Sequence, residues 1–437
     1  MGSVQSLRGF KDSLPPESES ASSFESLCRG VLGRYGFREI RLPTLELQEL
    51  FIKSTGETTD IVEKEMFRLE DAGGRRLALR PEGTPGVVRA YLEHGLSQKG
   101  GACKLFYVAP MFRAERPQAG RLREFVQVGV ECLGNPHPAA DAEAILAAKA
   151  VFEEAGLSGR TALRLNNLGC DDDPSCRPAH REALRAFLVS READLCENCR
   201  RRTQRNPLRA LDCKGCGPSL ADQAPRLIPC AACAGHVQEV SRFLLANGCP
   251  HRYPDHGLVR GLDYYTRTVF EFSCSLGTGS QDALAAGGRY DGLVGSMGGP
   301  KTPAVGWALG LERVLMAVRA AHPPTDSGKP PGGPSIDAFV ALQGKGSGAV
   351  LAAVNALEAL RRAGLKAGGS AFGASLKAQM REASREEAPF VAIIGDEELQ
   401  KTPPACTLKD MRAGTQAEVA LDSLAELLLR ETRRKGE

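Results

Sequence analysis

Apolar and polar residues alternate along RGLDYYTRTVFEF, residues 260–272, with the period of two that is typical of a β-strand. One side of this strand would carry Leu262, Tyr264, Thr266, Thr268, Phe270 and Phe272. Its first end is polar, because Arg260 and Asp263 stand where a core strand would carry valine. The pattern predicts either a solvated edge or rim strand or a strand that presents hydrogen-bonding groups to a ligand.

A second alternating segment, KLFYVAPMFRAERPQAGRLREFVQVGVECLG at 104–134, is predicted to form two strands joined by the polar turn ERPQAGRL. One face of the second strand would carry Phe125, Gln127, Gly129 and Glu131. An aromatic ring, an amide and a carboxylate make a poor core face and a good pocket wall. The alternative is an exposed sheet face with cross-strand ion pairs, and Arg113 and Glu115 lie at the polar end of the first strand.

Two further segments fit a binding site. AAGGRYDGLVGSMGG, residues 285–299, contains glycines that allow a close backbone approach or a tight turn. AVGWALGLERVLMAV, residues 304–318, is predicted as a short buried strand that runs into a helix, with Arg313 in its first turns. Taken alone, the second segment is typical of an ordinary strand–helix connection.

Pro, Gly and Ser dominate AHPPTDSGKPPGGPS, residues 321–335, which is predicted to be a linker. Beyond it, predicted strands IDAFVAL and PFVAIIG alternate with predicted helices AVLAAVNALEALRRAG, SLKAQMREASREEA and LDSLAELLLRETRRK. Such alternation predicts a small α/β domain over 336–437. The rest divides into one large domain, 1–169 with 251–320, and an insertion at 170–250 that is rich in cysteine and arginine and poor in strand signals.

Composition fits a soluble globular protein: of 437 residues, 42% are hydrophobic and 25% charged, and two or three domains are expected. The net charge of +3 permits a nucleic-acid partner without requiring one. The N-terminus has no signal-peptide pattern, and apolar runs stay below the roughly 20 residues of a membrane span. We therefore expect a cytoplasmic protein.

Eight of the fourteen cysteines lie between Cys170 and Cys233. In a reducing compartment this clustering suggests metal binding more than disulfides. Three CxxC pairs stand out: Cys196/Cys199, Cys213/Cys216 and Cys230/Cys233. Two pairs would complete a tetrahedral zinc site, which leaves the pairing open, and His236 or Cys176 are alternative ligands. The other interpretation is a set of reduced, partly buried thiols.

Seven motifs, in this order, resemble those of bacterial-type histidyl-tRNA synthetases, which are class II aminoacyl-tRNA synthetases. They are RGFKDSLP, FREIRLPTLE (motif 1), RPEGT at 80–84, FYVAPMFRAERPQAGRLREFVQVGVE (motif 2), RGLDYYTRTVFEF, AAGGRYDGL and AVGWALGLERVL (motif 3). The resemblance implies an α+β fold: an antiparallel sheet with flanking helices and a C-terminal α/β anticodon-binding domain. Motif 1 implies a homodimer.

The resemblance also implies an activity. The family activates L-histidine with ATP to histidyl-adenylate and pyrophosphate, then transfers histidine to the 3′ end of its tRNA. By family matching, Arg113 and Arg260 are the catalytic arginines, and Arg113 holds the α-phosphate and the substrate carboxylate. Arg121 would meet the distal phosphates, Phe125 and Arg313 would sandwich the adenine, and Mg²⁺ would accompany ATP.

The matching positions for histidine binding are Glu82, Gly83, Thr84, Arg113, Gln127, Glu131, Arg260, Tyr264 and Tyr265. Carboxylates and phenols can satisfy both imidazole nitrogens and reject apolar side chains. The matching positions for the tRNA acceptor end are Arg116, Gln118 and Arg123, with a strand-end ion pair as an equal alternative for Arg123. The insertion segment CRRRTQRNPLRALDCK is basic enough to suggest a further contact with tRNA phosphates.

A related protein, the regulatory subunit of an ATP phosphoribosyltransferase, shares the core but lacks the anticodon domain and typically loses catalytic groups. The presence of Arg113, Arg260 and Arg313, together with the predicted domain at 336–437, argues against this alternative. The same arginines disfavour a pure histidine- or nucleic-acid-binding module.

Overall fold

The computed structural model describes residues 4–56, 59–118, 120–211, 213, 215–221, 223–259, 261–277, 282–323, 336–343, 346–369 and 374–434. The chain divides into two compact units, Met1–Pro323 and Pro324–Glu437. Arg260 and most of the predicted linker lie outside the described residues.

The helices are α1 Glu17–Arg34, α2 Gln48–Thr55, α3 Thr84–Glu93, α4 Pro138–Phe152, α5 Arg177–Ser190, α6 Glu197–Arg205, α7 Leu208–Leu211, α8 Gly217–Ala221, α9 Ala231–Ala246, α10 Leu293–Ser296, α11 Leu311–Ala321, α12 Ser347–Arg362, α13 Leu376–Arg385, α14 Asp396–Leu399 and α15 Leu424–Arg434. The strands are β1 Arg38–Glu39, β2 Leu45–Leu47, β3 Arg68–Glu70, β4 Arg76–Leu79, β5 Cys103–Phe112, β6 Glu124–Leu133, β7 Ala162–Asn167, β8 His251–Arg252, β9 Thr266–Ser273, β10 Ala283–Arg289, β11 Ala304–Gly310, β12 Ala338–Leu342, β13 Ala367–Gly368, β14 Phe390–Ile394, β15 Ala405–Asp410 and β16 Gln416–Ala420.

The first unit is built on a mixed, mainly antiparallel sheet. Within the described residues it has eight strands in the order β1-β5-β6-β11-β10-β9-β7-β8, of which the pairs β1–β5 and β7–β8 run parallel. The three strands that come between β1 and β5 in the sequence form a separate, small antiparallel sheet with the order β2-β4-β3. The predicted hairpin of β5 and β6 is confirmed, as is the strand–helix connection of β11 and α11.

The alternation along β6 separates the core from the polar face. Val128 and Val130 are fully buried in the cluster that packs the sheet against α1, α4 and α11. Across β11, the indole Nε1 of Trp307 donates to the carbonyl of Ala144 at 2.7 Å, which fixes α4 on this face. The opposite face of β6 carries Gln127 and Glu131, so the predicted division between core and pocket wall follows directly from strand geometry.

A buried ion pair joins the sheet to α4. Arg289, at the end of β10, and Asp141, in α4, are 1% and 0% exposed, and the Arg289 Nε lies 3.2 Å from each carboxylate oxygen. Burial raises the pKa of Asp141, but the nearby His236, whose Nε2 lies 3.3 Å away, and the charge of Arg289 outweigh it, and the pKa is lowered overall. Asp141 is therefore a charged partner inside the core.

The strand predicted over 260–272 begins only at Thr266, so the first part of that prediction is wrong. Residues 261–265 form a loop. Arg267 has a φ of 52°, and the pairing of β9 with β10 shifts between Thr266 and Val269. This bulge interrupts the simple alternation, because extra residues on β9 oppose β10 there.

The segment 170–250, predicted as an insertion, contains helices α5 to α9, and none of its described residues lies in a strand. The second unit contains the predicted strands β12 and β14 and the predicted helices α12, α13 and α15. Within its described residues the sheet has the order β13-β12-β14-β15-β16, and β15 and β16, which the sequence pattern did not indicate, extend it antiparallel. None of the helices in the described ranges combines the length and apolar character needed to cross a membrane.

Candidate active site

One cleft opens on the polar face of β6, between the loop before α3 and the loop before β9. It brings together most of the residues predicted for ATP and histidine: Glu82, Thr84, Arg113, Arg121, Phe125, Gln127, Tyr264, Tyr265 and Arg313. Segments far apart in the chain, from the first 90 residues to α11, therefore contribute to one site.

Three arginines line one end of this cleft. The guanidinium carbon of Arg113 lies 5.2 Å from the centre of the Phe125 ring, and its Nε donates to the Pro81 carbonyl at 3.0 Å. The Nε of Arg313 donates to the Gly120 carbonyl at 3.0 Å. Burial, followed by the charge of Arg121, lowers the pKa of Arg313, with Arg113 adding to this effect. Neighbouring cations of this kind favour binding of an anion.

Arg121 has a carboxylate partner, because its Nη1 lies 2.9 Å from Glu115 Oε2. A second carboxylate of the cleft, Glu312, accepts from the backbone N–H of Val126 at 2.9 Å, which ties α11 to β6. Burial raises the pKa of Glu312. The end of the cleft that carries the arginines thus also contains the carboxylate oxygens of Glu115 and Glu312.

The other end is built from tyrosines and a carboxylate. Glu82 is buried and accepts from the hydroxyls of Thr55 at 2.6 Å and Tyr264 at 2.9 Å. Burial raises its pKa, while these two hydrogen bonds act in the opposite direction. The Tyr264 ring lies 4.8 Å from that of Tyr265 and 5.7 Å from that of Tyr290. These groups are hydrogen-bonding, aromatic and fixed by mutual contacts.

Glu131 lies behind this end and does not line the cleft. Its carboxylate accepts from Thr84 Oγ1 at 2.6 Å and from the Tyr290 hydroxyl. Burial raises its pKa to about 8, against these two hydrogen bonds. Its contacts make it a support for Thr84 and Tyr290.

Close packing explains the glycines nearby. A Cβ atom at Gly83 or at Gly129 would overlap the ring of Tyr107, so both positions admit this tyrosine rather than leaving space for a ligand. Gln127 is different, because its buried amide oxygen accepts no hydrogen bond from the part of the chain that the structure describes. Since buried polar atoms are normally paired, this oxygen is available to a ligand.

The turn predicted to meet tRNA lies beside the cleft, because Glu115 and Arg121 line both the cleft and the space next to the turn. Arg116 and Gln118 line a shallow concavity with Lys64 and Glu65, and Arg121 borders both spaces. Arg123 has another position: its backbone N–H donates to the Gly9 carbonyl at 2.8 Å and its Nε to the Glu115 carbonyl at 3.2 Å. It braces the hairpin with backbone contacts, in place of the strand-end ion pair considered for it.

The cysteines of the insertion form two clusters, and in each the four Sγ atoms lie within 4.8 Å of one another. The outer cluster is Cys196, Cys199, Cys213 and Cys216; the root cluster is Cys170, Cys176, Cys230 and Cys233. The alternative ligand His236 lies elsewhere, with its Nε2 3.3 Å from Asp141 Oδ1. The third CxxC pair is therefore completed by Cys170 and Cys176.

The insertion also contacts the loop 261–265, which follows Arg260, itself outside the described residues. Arg209 donates to the carbonyl of Gly261, and the Asn206 amide donates to Asp263 Oδ1 at 2.6 Å. The sequence pattern gave no signal for these two contacts. The sequence could have indicated a pocket position for Tyr290. This residue follows Arg289 in AAGGRYDGL, and successive side chains of an extended segment point to opposite sides.

Comparison with known proteins shows which family models and which relatives match this chain. Residues 9–314 match the family model described as Histidyl-tRNA synthetase, and residues 337–431 match the one described as Anticodon binding domain. Histidine–tRNA ligases of Elusimicrobium minutum and Moorella thermoacetica are 47% and 45% identical over 418 and 424 residues, covering 96% of this chain and 97% and 96% of theirs. Apo S. aureus histidyl-tRNA synthetase has a TM-score of 0.80 at 31% identity, covering 98% of this chain and 100% of its own.

A structure named as an ATP phosphoribosyltransferase regulatory subunit/histidyl-tRNA synthetase from Bacillus halodurans C has a TM-score of 0.61 at 19% identity, covering 90% of this chain and 97% of its own, which shows a shared fold alone. The anticodon-binding match and the full-length relatives favour the synthetase over the regulatory subunit. The predicted fold class and enzyme class are thus confirmed, and the chain belongs to the histidyl-tRNA synthetase family of class II aminoacyl-tRNA synthetases.

Proposed function

We propose that the cleft activates L-histidine with ATP and then transfers histidine to the 3′ end of its tRNA, as a histidine–tRNA ligase. The observation that carries this proposal is the convergence of an arginine wall and a tyrosine–carboxylate pocket in one cleft. The arginine wall suits a nucleoside triphosphate, and the tyrosine–carboxylate pocket suits an imidazole. Histidine-dependent exchange of pyrophosphate into ATP tests the proposal directly.

Activation requires the carboxylate of histidine to attack the α-phosphorus of ATP. Both reactants are anionic, and negative charge grows on the phosphoryl oxygens, so catalysis consists mainly of positioning and charge neutralisation. Arg113 would hold the α-phosphate and the attacking carboxylate, and Arg260 would stabilise the developing charge. The pyrophosphate leaves towards Arg121.

The nucleoside would lie on Phe125. Its ring already has the cation of Arg113 within 5.2 Å, and Arg313 is held by the Gly120 carbonyl at the same end of the cleft. An adenine between Phe125 and Arg313 would gain stacking and cation–π stabilisation. The half-buried Arg313 would also gain a nearby triphosphate, which offsets repulsion from the other arginines.

The donor set fits Mg²⁺, because Glu115 and Glu312 line the cleft and carboxylate oxygens are its preferred protein ligands. When bound, the ion would neutralise phosphate charge. Glu115 also orients Arg121, so the same carboxylate holds the residue that meets the distal phosphates.

Histidine would bind among Glu82, Thr84, Gln127, Tyr264 and Tyr265, with Gly83 in the same loop. The unpaired amide oxygen of Gln127 supports this role, since it can accept from a substrate N–H. Glu131 contributes through Thr84 and Tyr290. A polar pocket of this kind rejects apolar side chains, which would leave its buried groups unpaired.

For tRNA, we propose contacts at three places. Arg116 and Gln118 lie on the motif 2 turn beside the cleft, where the acceptor end would enter. The domain at 336–437 would read the anticodon. In the insertion, Arg200, Arg201 and Arg205 are exposed and suit tRNA phosphates, whereas Arg202 pairs with Asp60 at 2.6 Å.

A structural Zn²⁺ at the outer cluster belongs to this proposal. The Sγ atoms of Cys196 and Cys213 lie 3.9 Å apart, and the backbone N–H of Cys196 points at Cys216 Sγ at 3.1 Å. Both features suit a tetrahedral thiolate site. All fourteen cysteines are free thiols, which fits the reducing cytoplasm that we propose as the location.

A homodimer is supported by an apolar face on the small sheet. The register of β2, β4 and β3 puts Leu45, Leu47 and Leu69 on one side, and they are 41%, 53% and 45% exposed. The other side, at Ala78, packs on Phe51 and Met66. Motif 1 ends within β2, at Glu46, so this face is where we place a second copy of the chain.

Replacing Arg260 with alanine should lower the rate of histidine-dependent exchange by about 10²–10³-fold, because one preorganised charge donor is lost. Circular dichroism should show an unchanged fold. The matched control is Arg252→Ala, whose side chain is 77% exposed, and it should keep wild-type exchange. Exchange within severalfold of wild type in Arg260→Ala would remove this arginine from the mechanism.

Arg116→Ala and Gln118→Ala should lower aminoacylation about tenfold or more while exchange changes little, because the lost hydrogen bonds are made to tRNA. Deleting 336–437 should likewise harm charging far more than exchange. Arg160→Ala, an exposed arginine away from the cleft, serves as control. Equal losses in both half-reactions for Arg116→Ala and Gln118→Ala would contradict a role in tRNA binding.

Leu47→Glu should convert a dimer into a monomer in sedimentation velocity, since a carboxylate would be buried unpaired in an apolar interface. Leu245→Glu changes an equally exposed leucine, 59% against 53%, on α9 and should leave the dimer intact. A wild-type protein that sediments as a stable monomer at micromolar concentration would rule out the proposed assembly.

Glu131 predicts a pH dependence of stability. Its pKa is raised from 4.5 to about 8, so the folded state keeps a proton that the unfolded chain loses. The resulting stability is complete below about pH 4.5 and is lost as pH rises to about 8. Between these values the free energy of unfolding should fall on the order of 1 kcal/mol per pH unit more in wild type than in Glu131→Gln.

Urea denaturation across this pH range measures that difference. Glutamine cannot titrate, so only the slope due to Glu131 disappears. Glu49→Gln removes a carboxylate on the exposed side of α2 and should keep the wild-type slope. Equal slopes in wild type and Glu131→Gln would show that this carboxyl does not titrate in the proposed range.

A further inference from the structure

We propose that the root cluster is a second tetrathiolate Zn²⁺ site, and that the two metal sites of the insertion hold loop 261–265 in the shape that binds histidine. This inference rests on the proposed function for the part that concerns histidine. Cys170 and Cys176 follow β7, where the insertion leaves the catalytic unit, and Cys230 and Cys233 begin α9, where it returns. A metal here would join the two ends of the insertion.

The geometry of the root cluster fits zinc. A Zn–S bond of about 2.3 Å in a tetrahedron places sulfurs about 3.8 Å apart. The Sγ atoms of Cys170 and Cys230 are 3.8 Å apart, and the four sulfurs lie within 4.8 Å of one another. A disulfide would require a separation of about 2.05 Å. These distances match shared ligation and not a covalent bridge.

Backbone donors point at the same sulfurs. The N–H groups of Cys170 and Cys230 approach Cys176 Sγ at 3.5 and 3.4 Å. Such donors favour a thiolate, which is the form that binds metal. The competing interpretation is a small apolar cluster of protonated thiols, which also pack well when buried.

The root cluster is connected to the histidine pocket through the residue that follows Cys176. Arg177 is buried, and its Nη1 donates to the carbonyl of Tyr265 at 2.7 Å while its Nε donates to Asp171 Oδ1 at 2.7 Å. Just before the cluster in the sequence, the carbonyl of Gly169 accepts from the backbone N–H of Arg267 at 2.8 Å. Fixing the cluster therefore fixes the end of the loop at Tyr265.

The outer cluster fixes the start of the same loop. Its cysteines close the segment 199–213, from which Arg209 donates to the Gly261 carbonyl and Asn206 donates to Asp263. The two clusters thus hold the two ends of a loop that carries Tyr264 and follows Arg260. Loss of either metal would loosen the segment that carries Arg177 or Arg209, and with it the contact of that arginine to one end of the loop.

Metal content tests the first half of the proposal. Full-length protein purified without added metal should contain two zinc ions per chain by mass spectrometry, one for each cluster. Cys170→Ala and Cys230→Ala should each retain one. Cys249→Ala, a buried cysteine outside both clusters, should retain two. A zinc content near zero, or disulfides in place of free thiols, would overturn the second site.

Histidine affinity tests the second half, by calorimetry with the full-length protein. Cys230→Ala and Arg177→Ala should each raise the dissociation constant for histidine about tenfold and leave that for ATP within about twofold, because a charge-assisted contact to the loop is lost. Arg177→Ala should keep both zinc ions. Arg177→Lys, which retains a positively charged donor group, should recover part of the affinity.

The outcomes are separable. Unchanged histidine affinity in Cys230→Ala and Arg177→Ala, with the zinc content as expected, would overturn the coupling to the loop. Equal weakening of ATP and histidine would also overturn it, since that result reflects general loss of structure. Absence of pyrophosphate exchange in wild type would count against the proposed function, while metal content would still decide whether the root cluster is a zinc site.

Discussion

The buried ion pair between Arg289 and Asp141 constrains the whole catalytic sheet. Both groups are removed from water, and a slip of β10 relative to α4 would separate the Arg289 guanidinium from the Asp141 carboxylate inside the core. A shift of one residue would turn every side chain of β10 to the opposite face. The next residue, Tyr290, therefore points away from α4 and reaches Glu131. An interaction in the core thus fixes a group in the pocket.

The polar groups of the pocket are held in fixed positions by contacts with one another and with the core. Glu131 holds Thr84 at the start of α3, and the Tyr107 ring fills the space that glycines at 83 and 129 leave open. Glu82 is held by Thr55 and Tyr264. Hydrogen-bonding groups that are fixed before the substrate arrives need little reorganisation in the transition state, which is how a site of this composition gains rate.

The sequence predicts the position of a site residue only where a single strand or helix determines which way its side chain points. The alternation along β6 indicated the pocket wall at Gln127, because strand geometry alone sets its face. The loop 261–265 was predicted as strand, since the bulge at Arg267 depends on partners in β7 and β10. The contact of Asn206 with Asp263 and the grouping of Cys230 with Cys170 join segments about 60 residues apart, and no local pattern encodes such pairings.

Arginines have two different roles in this molecule, and the hydrogen-bonding partner of each arginine distinguishes the two roles. The charge of Arg289 is balanced by the carboxylates of Asp141 and Asp291, so it is not available to a ligand. Arg113 and Arg313 donate to backbone carbonyls, which satisfy hydrogen bonds without cancelling charge. Among the described residues, neither arginine is engaged in an ion pair, so both guanidinium groups can bind an anion in the cleft. A fold shared with a regulatory subunit cannot establish catalysis. The groups that the proposed adenylate formation would use are these arginines and the amide oxygen of Gln127, which accepts no hydrogen bond from the described residues.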